Sequence, residues 1–107
     1  MRVQLFSYIT KQQEVDMVDK IFKAIADKNR RKILMLLKHH VSLTAGELAK
    51  HFEFSKASLS EHLKILRLSG LIYAKKKGKY IHYRLNTSVF EEILAWVLEL
   101  YQKREGK

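Results

Sequence analysis

A mainly α-helical domain with one small β-hairpin is the fold class this sequence predicts, and three observations predict it. Proline is absent and glycine occurs only four times in 107 residues, so few turns are forced. Apolar residues recur at helical spacing, as with Val18, Ile21, Phe22 and Ile25 at i, i+3, i+4 and i+7. From Leu71 to Leu85 the spacing changes to alternation around Gly78, a hairpin signal. The expected order is four helices, two strands and a closing helix. With no linker, repeat or low-complexity stretch, this is one domain, long enough to bury roughly two thirds of its unfolded surface.

The first helix is expected from about Gln13 to Ala26. Asp27 caps the second, in which Arg30, Arg31 and Lys32 precede the apolar run Ile33, Leu34, Leu36 and Leu37. His39 and His40 fall near its C-terminus, where positive charge is favoured. Thr44 and Glu47 form a capping box that opens a short third helix with Leu48, Ala49 and Phe52 inward. Ser55 caps the fourth, which runs to about Ser69 and stops at Gly70. Two helices joined by so short a turn make a helix-turn-helix.

The strands are expected at Leu71–Lys75 and Lys79–Leu85, with Gly78 supplying the positive φ of a tight turn. Ile81, Tyr83 and Leu85 share one face, and Tyr73, Tyr80 and Tyr83 are read as hairpin packing. Ser88 to Glu91 reads as a second capping box, opening a helix to about Lys103. Its Val89, Phe90, Ile93, Leu94, Trp96, Val97, Leu98, Leu100 and Tyr101 wrap more than one face. One small core cannot cover them, so a second copy of the chain, meeting the first and last helices, is the expected partner.

Charge locates the functional surface. Between Ser55 and Leu85, eight cations stand against the single acid Glu61, a net +7 of the chain's +10. A helix with an adjoining basic ribbon suits double-stranded DNA, the helix entering a major groove and the ribbon following phosphate. With Leu59, Leu63 and Leu66 defining the inner face, Ala57, Ser60, Glu61 and Lys64 lie about 100–200° around the helix and face the groove. Lys56 and Ser58 sit in the first turn, within reach of phosphate. His62 lies near the buried edge, placed equally to bond within the motif or to touch DNA. Lys76, Lys77 and Lys79 at the hairpin tip are phosphate contacts.

Other functions find little support. There is no cysteine, hence no disulfide, thiolate metal site or cysteine nucleophile, which is compatible with a reducing cytosol. No apolar run approaches the ~18 residues of a membrane span, and the start lacks a signal-peptide pattern, so a cytoplasmic protein is expected. No Gly-rich phosphate loop or Ser/His/acid trio suggests an enzyme. The five histidines are scattered, so neither a metal nor a cofactor is expected. The competing reading is a basic protein-interaction module that meets an acidic partner or an anionic surface.

The segments IFKAIADKNRRKILMLLK, LTAGELAKHF, SKASLSEHLKILRLSGLI and KKKGKYIHYRLN, in that order, resemble the ArsR/SmtB family of bacterial winged-helix repressors. FKAIAD and IHYRLNTS are similar to its SdpR-like autorepressors. The resemblance spans about Met17 to Tyr101. It implies a winged helix-turn-helix at residues 17–107 after an N-terminal extension of 16 residues. It also implies a homodimer through the first and last helices, bound to an imperfect palindrome in promoter DNA. Val18, Ile21, Phe22, Ile93, Trp96, Val97, Leu100 and Tyr101 are the implied dimer residues, and Ala57, Ser60 and Glu61 fall where members contact bases. The family's release signals imply a protein or small-molecule effector as a further partner, or no signal beyond autoregulation. Its metal sensors use third-helix cysteines or paired Asp, His and Glu on the last helix; here GELAKHF has no thiol and the last helix no histidine. Lys28 stands where proline is usual, and Glu61 where histidine or another polar donor is common.

Overall fold

The computed structural model of the chain describes residues 9–102. Its elements are α1 (Lys11–Ile25), α2 (Lys28–His39), β1 (Leu43–Thr44), α3 (Ala45–Ala49), α4 (Lys56–Leu68), β2 (Ile72–Lys77), β3 (Tyr80–Leu85) and α5 (Thr87–Tyr101). Residues 1–8 of the expected extension, and the expected helix end at Lys103, lie outside the described residues.

Helix α1 starts two residues before the expected Gln13, because a capping box precedes it. The Thr10 hydroxyl accepts from the Gln13 N–H at 3.1 Å, and the Gln13 side chain accepts from the Thr10 N–H at 2.9 Å. Asp27 caps α2 as expected, its carboxylate accepting from the N–H groups of Asn29 (2.8 Å) and Arg30 (3.1 Å). The Thr44–Glu47 box at α3 closes in the same reciprocal way.

The core draws one stripe from each helix of the first four: Val18, Ile21 and Ala24 of α1, Ile33, Leu34 and Leu37 of α2, Leu48 of α3, and Leu59, Leu63 and Leu66 of α4. Leu71, Ile72 and Tyr83 close it from the hairpin. This corrects two expected dimer residues. Val18 and Ile21 are 9% and 1% exposed, because the chain's own helices occupy the face they share with Ala24. Phe22 stays outside and meets the Trp96 ring edge-on at 5.7 Å.

The sheet is antiparallel with order β1-β3-β2. Strand β1 is unexpected; two residues are too few to show alternation, and only its pairing (Leu43 with Tyr83, Thr44 with His82) makes it a strand. Strand β2 continues to Lys77 and β3 begins at Tyr80, so Lys79 belongs to the turn with Gly78, whose φ is +62°. Cross-strand partners share a face. Ile72/Leu85, Ala74/Tyr83 and Lys76/Ile81 form one face; Tyr73/Arg84, Lys75/His82 and Lys77/Tyr80 form the other. Tyr83 therefore packs inward at 9% exposure, while Tyr73 and Tyr80, expected as packing, are 49% and 56% exposed. Ile81 has the expected face but stays open, because the hairpin projects past the core.

A tight corner joins α4 to the hairpin. The buried Ser69 hydroxyl donates to the Leu66 carbonyl at 2.6 Å and accepts from the Leu71 N–H at 3.2 Å. Gly70 follows at φ +85°, a region other side chains rarely adopt. At the base of the hairpin the Asn86 N–H donates to the Leu71 carbonyl at 2.9 Å, so α5 starts directly at Thr87. The expected box at Ser88–Glu91 is thus absent: Ser88 already lies inside the helix, and Asn86 holds the N-cap position without a side-chain bond. Helix α5 buries none of its residues fully, although Val89, Phe90, Ile93 and Trp96 rest on the core.

The Asp27 cap is testable through pH. The Arg30 backbone N–H, ahead of weaker influences, holds this carboxyl below the ordinary carboxylate value. Its folded pKa being depressed, the ionised cap stabilises at neutral pH, and that contribution fades as pH falls through the folded value. Asp27→Ala is expected to cost about 0.5–2 kcal/mol in urea unfolding at pH 7. The gap to wild type should narrow in strong acid; a gap that does not change with pH means the carboxylate is not the source.

Candidate nucleic-acid interface

Helix α4 is anchored at its start by Ser55, whose hydroxyl oxygen accepts from the Ser58 N–H at 3.1 Å and donates to the Ser58 hydroxyl at 3.2 Å. Leu59, Leu63 and Leu66 are buried, so the opposite side must face solvent. Lys56, Ala57, Ser58, Ser60, Glu61 and Lys64 are all exposed there. His62 is set apart from this group. It is half-buried, its Nδ1 lies 3.2 Å from an Arg30 guanidinium nitrogen, and its ring tilts against Phe54 at 5.4 Å.

The turn before α4 is held by a small cluster. Phe52 stacks on Phe54 at 4.8 Å, and the Lys32 ammonium sits 4.8 Å over the Phe52 ring while donating to the His51 carbonyl at 2.7 Å. Lys32 thereby ties α2 to the helix-turn-helix, a role that sequence spacing did not show. Between α3 and α4 the small side chains Ala45 and Ala49, with Gly46, leave a cleft of about 280 Å³ with Lys56 and Ser60 on its wall and Tyr83 also lining it.

Lys76, Lys77 and Lys79 sit exposed around Gly78. Lys76 and Lys77 point to opposite faces of the ribbon, so the tip offers charge in two directions. The outer face carries Lys75, which belongs to the lysine run that the sequence reading assigns to phosphate, and adds Arg84, which sequence reasoning did not single out as a contact. The Arg84 guanidinium lies 6.0 Å from the Tyr73 ring centre, and the Lys79 ammonium 5.6 Å from that of Tyr80. Strict alternation from Ile72 onward would have placed these residues on the solvent side.

Among the described residues, no three His, Cys, Asp or Glu side chains converge to hold a metal, and no helix is long and apolar enough to cross a membrane. What the surface offers is an exposed polar face on a helix, an element that a major groove admits, beside a cationic two-stranded ribbon. That is the working surface of a winged helix-turn-helix DNA-binding protein.

Comparison with known proteins specifies the family. Residues 27–74 match the family described as "Bacterial regulatory protein, arsR family". The chain is 45% identical over 89 residues to the Transcriptional repressor SdpR of Bacillus subtilis (strain 168), covering 83% of this chain and 98% of that protein. It is 36% identical over 80 residues to the Arsenical resistance operon repressor of Escherichia coli (strain K12), covering 75% and 65% of the two. Among solved structures, an ArsR family transcriptional regulator, RHA00566, superposes with a TM-score of 0.73 at 32% identity, over 83% of this chain and 94% of that one. The protein belongs to the arsR family of bacterial regulatory proteins. It is a DNA-binding transcriptional regulator, not an enzyme, which decides against the interaction-module reading.

Proposed function

We propose that the protein is a cytoplasmic homodimeric repressor that binds an imperfect palindrome in promoter DNA, its own promoter included. The observation that carries the dimer is α5. It is the most apolar helix of the fold, yet Leu94, Val97, Leu98, Leu100 and Tyr101 remain exposed, the last two at 70% and 82%. A patch of this kind on a small domain marks a protein contact. Phe22 and Val15 of α1 are exposed as well, and Phe22 touches Trp96, so α1 and α5 form one continuous surface with Ile93 at its inner edge. Residues 11–16 of the expected N-terminal extension form the first part of α1 and add Val15 to the dimer surface.

Pairing two copies presents two α4 helices to one duplex, and two-fold symmetry in the protein calls for a palindrome in the DNA. Ala57, Ser60, Glu61 and Lys64 face base edges; Lys56, Ser58, Lys76, Lys77 and Lys79 meet phosphate. Ser60 and Lys64 donate to guanine, while Glu61 accepts from a cytosine amino group. Repression follows the two relatives named repressors, and autorepression follows the resemblance of FKAIAD and IHYRLNTS to the family's autorepressors. A small-molecule or protein effector, rather than a metal, supplies any release signal, and the cleft beside Ser60 offers a small molecule a place next to the reading helix.

Three measurements test this reading. Val97→Ala combined with Leu100→Ala is expected to weaken the dimer, since each large apolar side chain buried contributes roughly 1.5–3 kcal/mol. A wild-type monomer at micromolar concentration in sedimentation refutes the dimer. Alanine at Lys76, Lys77 or Lys79 should weaken operator and scrambled DNA alike and lower the salt slope by about one unit each, whereas Ser60→Ala should cost roughly 1–3 kcal/mol on the operator alone. A wing variant that loses discrimination while Ser60→Ala keeps it reverses the docking. Finally, stoichiometric zinc, cadmium or arsenite should leave operator affinity unchanged in a gel shift; a tenfold loss, about 1.4 kcal/mol, contradicts the absence of a metal site.

A further inference from the structure

Arg30 lies at the third position of α2, and its side chain makes three hydrogen bonds to two other helices. Its Nε donates to the Ala24 carbonyl at 2.7 Å and its Nη2 to the Lys23 carbonyl at 3.0 Å, both in the last turn of α1. Its Nη1 lies 3.2 Å from Nδ1 of His62 in α4. The last carbonyls of a helix lack intrahelical partners and carry the negative end of its dipole, so a cation is favoured there. A guanidinium only donates, so Nδ1 must accept, and the neutral ring holds its proton on Nε2.

We propose that Arg30 is a positioning residue for base reading: through His62 it fixes the rotation at which α4 presents Ser60, Glu61 and Lys64. The leucine face of α4 sets how deeply the helix sits, but apolar burial is non-directional and resists rolling weakly. A hydrogen bond to a planar, rigid fork is directional. Side chains reach about 5–6 Å from a helix axis, so a roll of about 20° moves their ends by roughly 2 Å. That displacement breaks a hydrogen bond to a base edge. Long lysines on phosphate tolerate it, because phosphate contacts carry no sequence information. His62 is therefore held from two sides, by Arg30 and by the Phe54 ring, and it stands next to Glu61.

The inference rests on α4 being the base-reading helix, and the test separates the two. Operator and scrambled duplexes are titrated at one salt concentration with His62→Phe, His62→Asn, Arg30→Lys, the Arg30→Lys/His62→Phe pair and Ser60→Ala, and thermal unfolding is recorded for each. His62→Phe and Arg30→Lys are each expected to lower the operator-to-scrambled ratio roughly tenfold, the scale of one hydrogen bond to a charged group, with scrambled affinity unchanged. The pair should lose no more than either single variant, as for two ends of one contact. His62→Asn keeps an acceptor close to the Nδ1 position and should restore most of the ratio. Arg30→Lys keeps the charge, so its loss is not one of phosphate attraction. Should Arg30→Lys fail to fold, the two His62 variants still decide, because they leave the Arg30 bonds to α1 in place. A preserved ratio in His62→Phe with a reduced one in Ser60→Ala overturns the positioning role alone. A fall in His62→Asn equal to that in His62→Phe also overturns it, since His62 then touches DNA through Nε2. An unchanged ratio in both Ser60→Ala and His62→Phe removes α4 as the reader, and the proposal with it.

Discussion

Leu59, Leu63 and Leu66 recur at helical spacing along α4, and withdrawing them from water commits the opposite side of the same helix to solvent. The remaining elements are arranged around that burial. Helices α1, α2 and α3 each supply a stripe to receive it, and the turn ahead of α4 is locked by Phe52, Phe54 and Lys32. The polar face that results, with Ser60, Glu61 and Lys64, is carried on a rigid element rather than a loop, which suits the base-reading role proposed for it.

The basic ribbon depends on the corner at Ser69 and Gly70. A buried hydroxyl that both donates and accepts, followed by a residue at positive φ, reverses the chain within two residues of the end of α4. The hairpin is thus held at its base by Leu71 and Ile72 in the core, while its tip runs out beyond the packed region. Projection explains the burial along it: on the inner face Ile72 and Tyr83 are buried, whereas Lys76 and Ile81, further along the same face, are exposed. Cations collect at the tip because no apolar surface there excludes water.

Helix α5 shows the opposite imbalance. Only its inner side touches the core, through Val89, Phe90, Ile93 and Trp96, and a row of large apolar residues remains outside. Glu92 lies on this helix with one carboxylate oxygen buried and without a hydrogen-bond partner, and burial pushes its carboxyl above the ordinary value. An unpaired buried acceptor of this kind costs stability. The described chain therefore holds its helix-turn-helix half in a settled arrangement and leaves the apolar outer side of its terminal helix uncovered. Such an asymmetry fits a domain that meets DNA on one side and another protein on the other.

Local rules determined a large part of this protein. Caps at Asp27, Thr44 and Ser55, the glycine stop at Gly70 and the positive φ at Gly78 each depend on residues within a few positions, and each stands where the sequence places it. Helical period likewise identified the buried and open sides of α4, since a helix with three leucines on one side can bury only that side. Tertiary structure decided what depends on distant partners. Strand β1 exists because Tyr83 and His82 pair with it; Thr87 begins α5 because Asn86 is tied to Leu71; Ile81 stays open, although it shares a face with Tyr83, because the hairpin projects past the core. Val18 and Ile21 belong to the core because α2 and α4 cover the stripe that they share with Ala24. Arg30 and His62, 32 positions apart, meet only when α2 and α4 pack. Short-range backbone chemistry is written in neighbouring residues, while contacts across the chain arise only when the helices close on one another.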